Sequence, residues 1–158
     1  MLSGDWSSDV CSSDLRGRER FGGTTDEALT STLADNVRDL VVTPLAVAVR
    51  EQARLLREQG AAVVLLAVHA GGSCGAFDDP HDVSSCDPSE EVFALAGELG
   101  PGVVDLVVAG HSHSGVAHVV SGVPIIESYA NGAAFGRADL TVDPAAQRVT
   151  EVDRKSVV

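Results

Sequence analysis

The segment from Ala62 to Val68 is apolar at every position, and Val103 to Ala109 repeats the pattern with one break at Asp105. Short unbroken apolar runs of this kind predict strands covered on both faces, as in a parallel sheet. Between them the period changes. Val92, Leu95, Ala96 and Leu99 fall on one helical face behind Asp87-Pro88-Ser89-Glu90. That tetrad predicts an N-cap at Asp87, proline at the first helical position and an acid at the third. Gly100-Pro101-Gly102 predicts the stop. Strand, helix, strand in this order predicts a right-handed βαβ unit. An earlier helix is predicted to open at Thr43 as N-cap with Pro44 following. Its apolar stripe is Ala46, Val49, Ala53 and Leu56, its polar face carries Glu51, Arg54 and Glu58, and Gly60 ends it.

Beyond Ala109 the pattern becomes that of antiparallel strands. Val116–Val120 and Val123–Ile126 flank Ser121-Gly122, which predicts a hairpin. Ala138–Val142 alternates, Asp143-Pro144 turns, and a last short strand is expected near Val149–Val152. The predicted fold class is α/β, a βαβ unit followed by an antiparallel β meander. Arg16 to Val42 carries little pattern. Thr24-Thr25 and residues 30–32 are turn-like, and Leu40–Val42 is a candidate short strand.

Composition narrows the picture. The 158 residues are 44% hydrophobic but 4% aromatic, so Val, Leu and Ala must build the core. No stretch reaches the ~18 apolar residues of a membrane span. A net charge of −12 argues against a nucleic-acid surface. The ends read differently from the middle. Residues 1–15 are rich in Ser and Asp, with neither the basic nor the apolar region of a secretory signal peptide. They resemble a translated sequencing-adapter remnant, as do residues 154–158. The expectation is one domain over residues 16–153, truncated at both ends. Residues 16–158 carry 20 acids and 11 bases, a charge of −9.

The chemistry-bearing residues are histidines at strand ends. His69 follows the first apolar run; His111 and His113 follow the second, after Gly110. Ligands in open α/β sheets gather at carboxyl strand ends, and imidazole is the commonest ligand of a borderline metal. Gly110 is expected to supply the tight turn that lets His111 and His113 both face a metal. The alternative is three loop histidines without a metal. Ser112 within Gly110–Ser114 also has some likeness to a nucleophile elbow, which would make the protein a serine hydrolase. Against that, Ser114 stands where the elbow needs glycine, and a hairpin follows where it needs a helix.

Ala67-Val68-His69-Ala70-Gly71-Gly72 and Asp105-Leu106-Val107-Val108-Ala109-Gly110-His111-Ser112-His113 resemble the last two signature motifs of the calcineurin-like metallophosphoesterases. The closer likeness is to the 5′-nucleotidase/UDP-sugar hydrolase branch, extended by Val123–Gly132 and Phe135–Asp143. The resemblance implies the later part of a metallophosphoesterase sandwich with two divalent metal ions in the intact domain. His69 and His111 would serve the second ion and His113 the first. The substrate would be a small phosphate ester, such as a nucleotide, and the location periplasmic or extracellular. The family's upstream motifs, DxH, GDxxD and GNH, do not stand ahead of His69. Asp35-Asn36 lacks the GNH frame. With three histidines against about four ligands per ion, the chain alone is expected to hydrolyse little. A non-catalytic metal-binding fragment is the alternative reading.

Cys74 and Cys86 bracket the loop after His69. Exported members of the branch favour a disulfide here. Two free thiols, or a Cys74–His81–Cys86 zinc site, are the other readings. His118, inside a predicted strand, is read as structural or exposed. Asp105 is read as a cap at the start of its strand, and Asn131-Gly132 as a turn.

Overall fold

The computed structural model describes residues 18–24, 35 and 43–157. Along the chain these form β1 (Arg18–Thr24), α1 (Leu45–Glu58), β2 (Val63–His69), α2 (Glu91–Leu99) and β3 (Leu106–Val108). Then come β4 (Val116–Val120), β5 (Val123–Glu127), β6 (Phe135–Asp143) and β7 (Arg148–Val157). The first five strands make one sheet in the order β1-β2-β3-β5-β4. β1, β2, β3 and β5 are mutually parallel; β4 runs antiparallel to β5. β6 and β7 pair antiparallel in a sheet of their own. The candidate strand at Leu40–Val42 and the end segment 1–15 lie outside the described residues.

The core lies between the helices and one face of the five-stranded sheet. Ala46, Val49 and Ala53 of α1 and Val92, Leu95 and Leu99 of α2 meet Val64 and Leu66 of β2, Val107 of β3 and Ile125 of β5. These are the stripes the helical periodicity predicts. The polar face of α1 carries Arg54 between Glu51, at 2.9 Å, and Glu58, at 2.5 Å, also as predicted. These pairs are exposed and add only tenths of a kcal/mol each.

Both helices start later than their capping signals suggest. Pro44 itself is the N-cap of α1, with its carbonyl accepting from Val47 N and Ala48 N. Thr43 makes no cap bond. Asp87 spends its carboxylate on a tight turn, accepting from Ser89 N at 3.0 Å and Ser89 Oγ at 2.6 Å, and α2 begins at Glu91. Asx turns of this kind compete with helix initiation.

The opposite sheet face is less covered than the apolar runs imply. In β2 Val63 is buried, Leu65 half-buried and Ala67 exposed, and Val108 of β3 is 43% exposed. β6 approaches this face. A cavity of about 260 Å³ separates Val63 and Leu65 from Ala138, Leu140 and Val142. Where β6 crosses β5 it comes close: a Cβ at Gly136 would sit 2.7 Å from Ile126.

The antiparallel part expected after β3 is present as two hairpins. β4 and β5 form the predicted hairpin, with Ser121 and Gly122 both at positive φ (52° and 80°) in the turn. β5, however, inserts beside β3 and extends the parallel sheet, while β6–β7 leaves it. The last strand also runs further than expected, through Val157.

Candidate metal centre

The site is assembled by register. β2 and β3 pair with Leu65 opposite Leu106 and Ala67 opposite Val108. His69, the last residue of β2, thus lies at the same sheet edge as the loop that leaves β3. Asp105 anchors this register from the far end. Its Oδ2 accepts from Val64 N at 2.7 Å and from Arg57 Nη2 at 2.6 Å. It caps the strand start as the sequence suggests, and ties α1, β2 and β3 together.

At the near end the rings of His69 and His111 meet. His111 Nδ1 lies 3.0 Å from His69 Nε2, with ring centroids 4.7 Å apart in an edge-on arrangement. Both histidines are exposed. The turn that carries His111 is made differently from the sequence expectation. His111 and His113 themselves adopt positive φ, at 121° and 59°, and Gly110 does not. Non-glycine residues in such conformations carry a cost of ~1–3 kcal/mol and are found mostly where surrounding contacts enforce them.

Those contacts come from Ser112 and Glu127. Ser112 Oγ lies 2.7 Å from Gly72 O and 2.8 Å from Glu127 Oε1, and Gly72 N donates to Glu127 Oε2 at 2.8 Å. Glu127, the last residue of β5, is 2% exposed. Burial pushes its carboxyl above the ordinary 4.5, against the opposing pull of the Gly72 and Ser112 hydrogen bonds. Ser112 Oγ, the Gly72 backbone and the Glu127 carboxyl thus close a hydrogen-bonded ring. The ring joins the loop after His69 to the loop holding His111 and His113. Gly71 permits the approach, since a Cβ there would fall 2.5 Å from Ser112 N.

Ser112 is thereby occupied. Among the described residues none of its hydrogen-bond partners is an imidazole, so no histidine is hydrogen-bonded to it as the general base of a serine nucleophile. Glu127 carried no weight in the sequence reading. The one available signal was an acid closing the otherwise apolar Val123-Pro124-Ile125-Ile126 run.

Cys74 and Cys86 are disulfide-bonded, with Cα atoms 3.9 Å apart. They close the loop that follows Gly72. His81 is exposed and is not in the group whose ligand atoms lie within 4.8 Å of one another; the histidine that joins Cys74 and Cys86 there is His118, fully buried on β4. Asn131 and Gly132 form the expected turn, at φ 60° and 69°.

No protein-family model matches the chain, and no curated protein sequence matches it. Solved structures do. Over 89% of its length the chain superposes on the sulfate thiohydrolase SoxB of Thermus thermophilus, solved with glycerol, at a TM-score of 0.64 and 19% identity. Over 89% it also superposes on a Staphylococcus aureus protein assigned as a 5′-nucleotidase, solved with α-ketoglutarate, at a TM-score of 0.62 and 16% identity. The fold is that of a partial metallophosphoesterase domain. The chain spans 22% and 27% of those two proteins.

Within this metallophosphoesterase fold the donor set can be tested against metal chemistry. Two imidazole nitrogens at hydrogen-bond separation suit one borderline divalent ion after small ring rotations. Among the described residues, no third His, Cys, Asp or Glu brings a ligand atom within 4.8 Å of both. His113 stands on the same turn but outside that reach. The histidine pair fits part of a metal centre, and among the described residues no carboxylate oxygen joins it within 4.8 Å.

Proposed function

We propose that the chain is the carboxyl-side part of a metal-dependent phosphoesterase domain that acts on small phosphate esters, nucleotides in particular. His69 and His111 hold one divalent ion, and His113 serves a second ion whose other ligands come from the upstream motifs. The observation that carries this reading is the 3.0 Å approach of His69 and His111 at the carboxyl ends of adjacent parallel strands. The fold shared with the 5′-nucleotidase-assigned protein supports the substrate class. The Cys74–Cys86 bond supports a periplasmic or extracellular location, where disulfides persist. Bound metal would supply a hydroxide at neutral pH and offset charge on the phosphoryl oxygens. The protein's part is to hold the imidazoles, and the Ser112–Glu127 ring does so from below. The ligand count favours a chain that by itself binds an ion weakly and does not turn over.

The test is a phosphatase assay with p-nitrophenyl phosphate and AMP in Mn²⁺ or Zn²⁺. The 158-residue chain should show negligible turnover. A protein in which the same chain follows a segment bearing the missing Asp, His and Asn motifs should turn over, and His111→Ala should lower its rate by at least about 100-fold. Turnover in the longer protein that His111→Ala and His69→Ala leave unchanged would overturn the proposal.

A further inference from the structure

A second set of metal-type donors comes together away from the histidine pair. Cys74 and Cys86 face each other across a short antiparallel pairing. Its backbone bonds run from Gly75 N to Ser85 O at 3.1 Å and from Asp87 N to Ser73 O at 3.0 Å. The cysteines occupy the non-hydrogen-bonded position between them, where opposed side chains approach most closely. Cys74 N also donates to Gly115 O at 3.0 Å, which joins this loop to the segment leading into β4. His118 of β4 completes the group. Ligand atoms of Cys74, Cys86 and His118 all lie within 4.8 Å of one another. Cys74 is 7% exposed and His118 is 0% exposed. The Phe77 ring, 5.8 Å from that of His118, covers the group on the loop side.

Two sulfurs and one imidazole form a zinc-type donor set. Zn–S bonds of ~2.3 Å and Zn–N bonds of ~2.0 Å place tetrahedral ligand atoms about 3.5–3.8 Å apart, within the span seen here. As long as the sulfurs are bonded to each other they cannot act as thiolates. We propose that reduction of the Cys74–Cys86 bond converts this group into a zinc-class metal site formed by Cys74, Cys86 and His118, with water in the fourth position.

The chemistry balances with a dithiol as reductant. One dithiol sulfur attacks Cys74 or Cys86 and displaces the other as a thiolate. The second dithiol sulfur then resolves the mixed disulfide. Two electrons pass to the protein, which is left with two thiols, and the reductant leaves as its own disulfide. Coordination releases the two thiol protons and uses the lone pair of neutral His118. Two thiolates offset the charge of the ion, so the site is neutral overall, which suits its burial. Asp82 lies within electrostatic reach of His118. Metal would then replace the disulfide as the staple of the residue 74–86 loop. This site shares no ligand with the His69–His111 pair, so its failure would leave the proposed function standing, and the reverse.

The experiment uses the full chain with Cys11→Ser, which removes the third cysteine, and His111→Ala, which silences the histidine pair. Co²⁺ is titrated into the oxidised chain and into the dithiol-reduced chain. The reduced chain should develop a thiolate-to-cobalt charge-transfer band with one ion bound, and the oxidised chain should not. Loss of an outer partner alone commonly weakens a metal site ~10–100-fold, so His118→Gln, which removes a ligand, should weaken binding by at least about 100-fold. Zinc-edge X-ray absorption on the reduced chain with His118 intact reads the same shell without a core substitution. It should show two sulfurs with nitrogen and oxygen. A reduced chain that binds Co²⁺ without the charge-transfer band, or a zinc shell without sulfur, overturns the inference.

Discussion

Glu127 is the side chain on which the geometry of the histidine loops depends, although it touches neither imidazole. Its carboxyl closes a ring through Ser112 and Gly72, and burial holds its pKa above the ordinary 4.5. The sign of the consequence follows from linkage. A raised folded-state value means that the stability from this group is complete below about pH 4.5 and is lost as pH rises through the folded value. Glu127→Gln keeps a neutral group at every pH. Its stability relative to the parent should therefore increase from acid to neutral pH, read as denaturant midpoints across that range. A difference that stays constant with pH would contradict a buried, titrating Glu127. The histidines were legible as residues, because each ends an apolar run. Glu127 was not, since a single acid after a strand usually marks a solvated end.

At the level of elements, the site rests on the register of β2 against β3 and on close approach of their trailing loops. Asp105→Ala removes the acceptor of Val64 N and of Arg57 at once. It should cost about 1–3 kcal/mol, the usual cost of leaving a part-buried donor unpaired, measured by chemical denaturation, with Asp105→Asn recovering part of it. Gly71→Ala should act on geometry instead. Its Cβ would meet the Ser112 backbone at 2.5 Å and push the His111 loop away from His69. Metal affinity should fall along with stability, since the clash is with backbone, and an unchanged affinity would show that the loops need not touch. The sequence revealed α1, α2, β2 and the β4–β5 hairpin because each carries a period, a turn or a stop signal. β1 was missed because Arg18–Thr24 runs three charged residues into two glycines and a threonine, with only Phe21 to mark a strand. β3 was over-drawn because Val103 and Val104 are apolar without being in the ladder, and three residues suffice to pair it. The departure of β6–β7 from the sheet is a tertiary choice that no local pattern records.

The whole molecule is layered: α1 and α2 pack on one face of the five-stranded sheet, and β6 comes near the other. The fold is that of a partial metallophosphoesterase domain, and the parallel strands bring His69 and His111 to one edge. No helix among the described residues is long and apolar enough to cross a membrane. The proposed function stands or falls on whether the histidine pair takes a metal. Zn²⁺ titration of the disulfide-bonded chain, followed by the imidazole ¹⁵N resonances, reads each ring separately. The resonances of His69 and His111 should move together and saturate with one ion, weakly, while those of His81 and His118 stay in place. Rings of His69 and His111 that do not respond to the ion, or that respond independently of each other, would contradict the account.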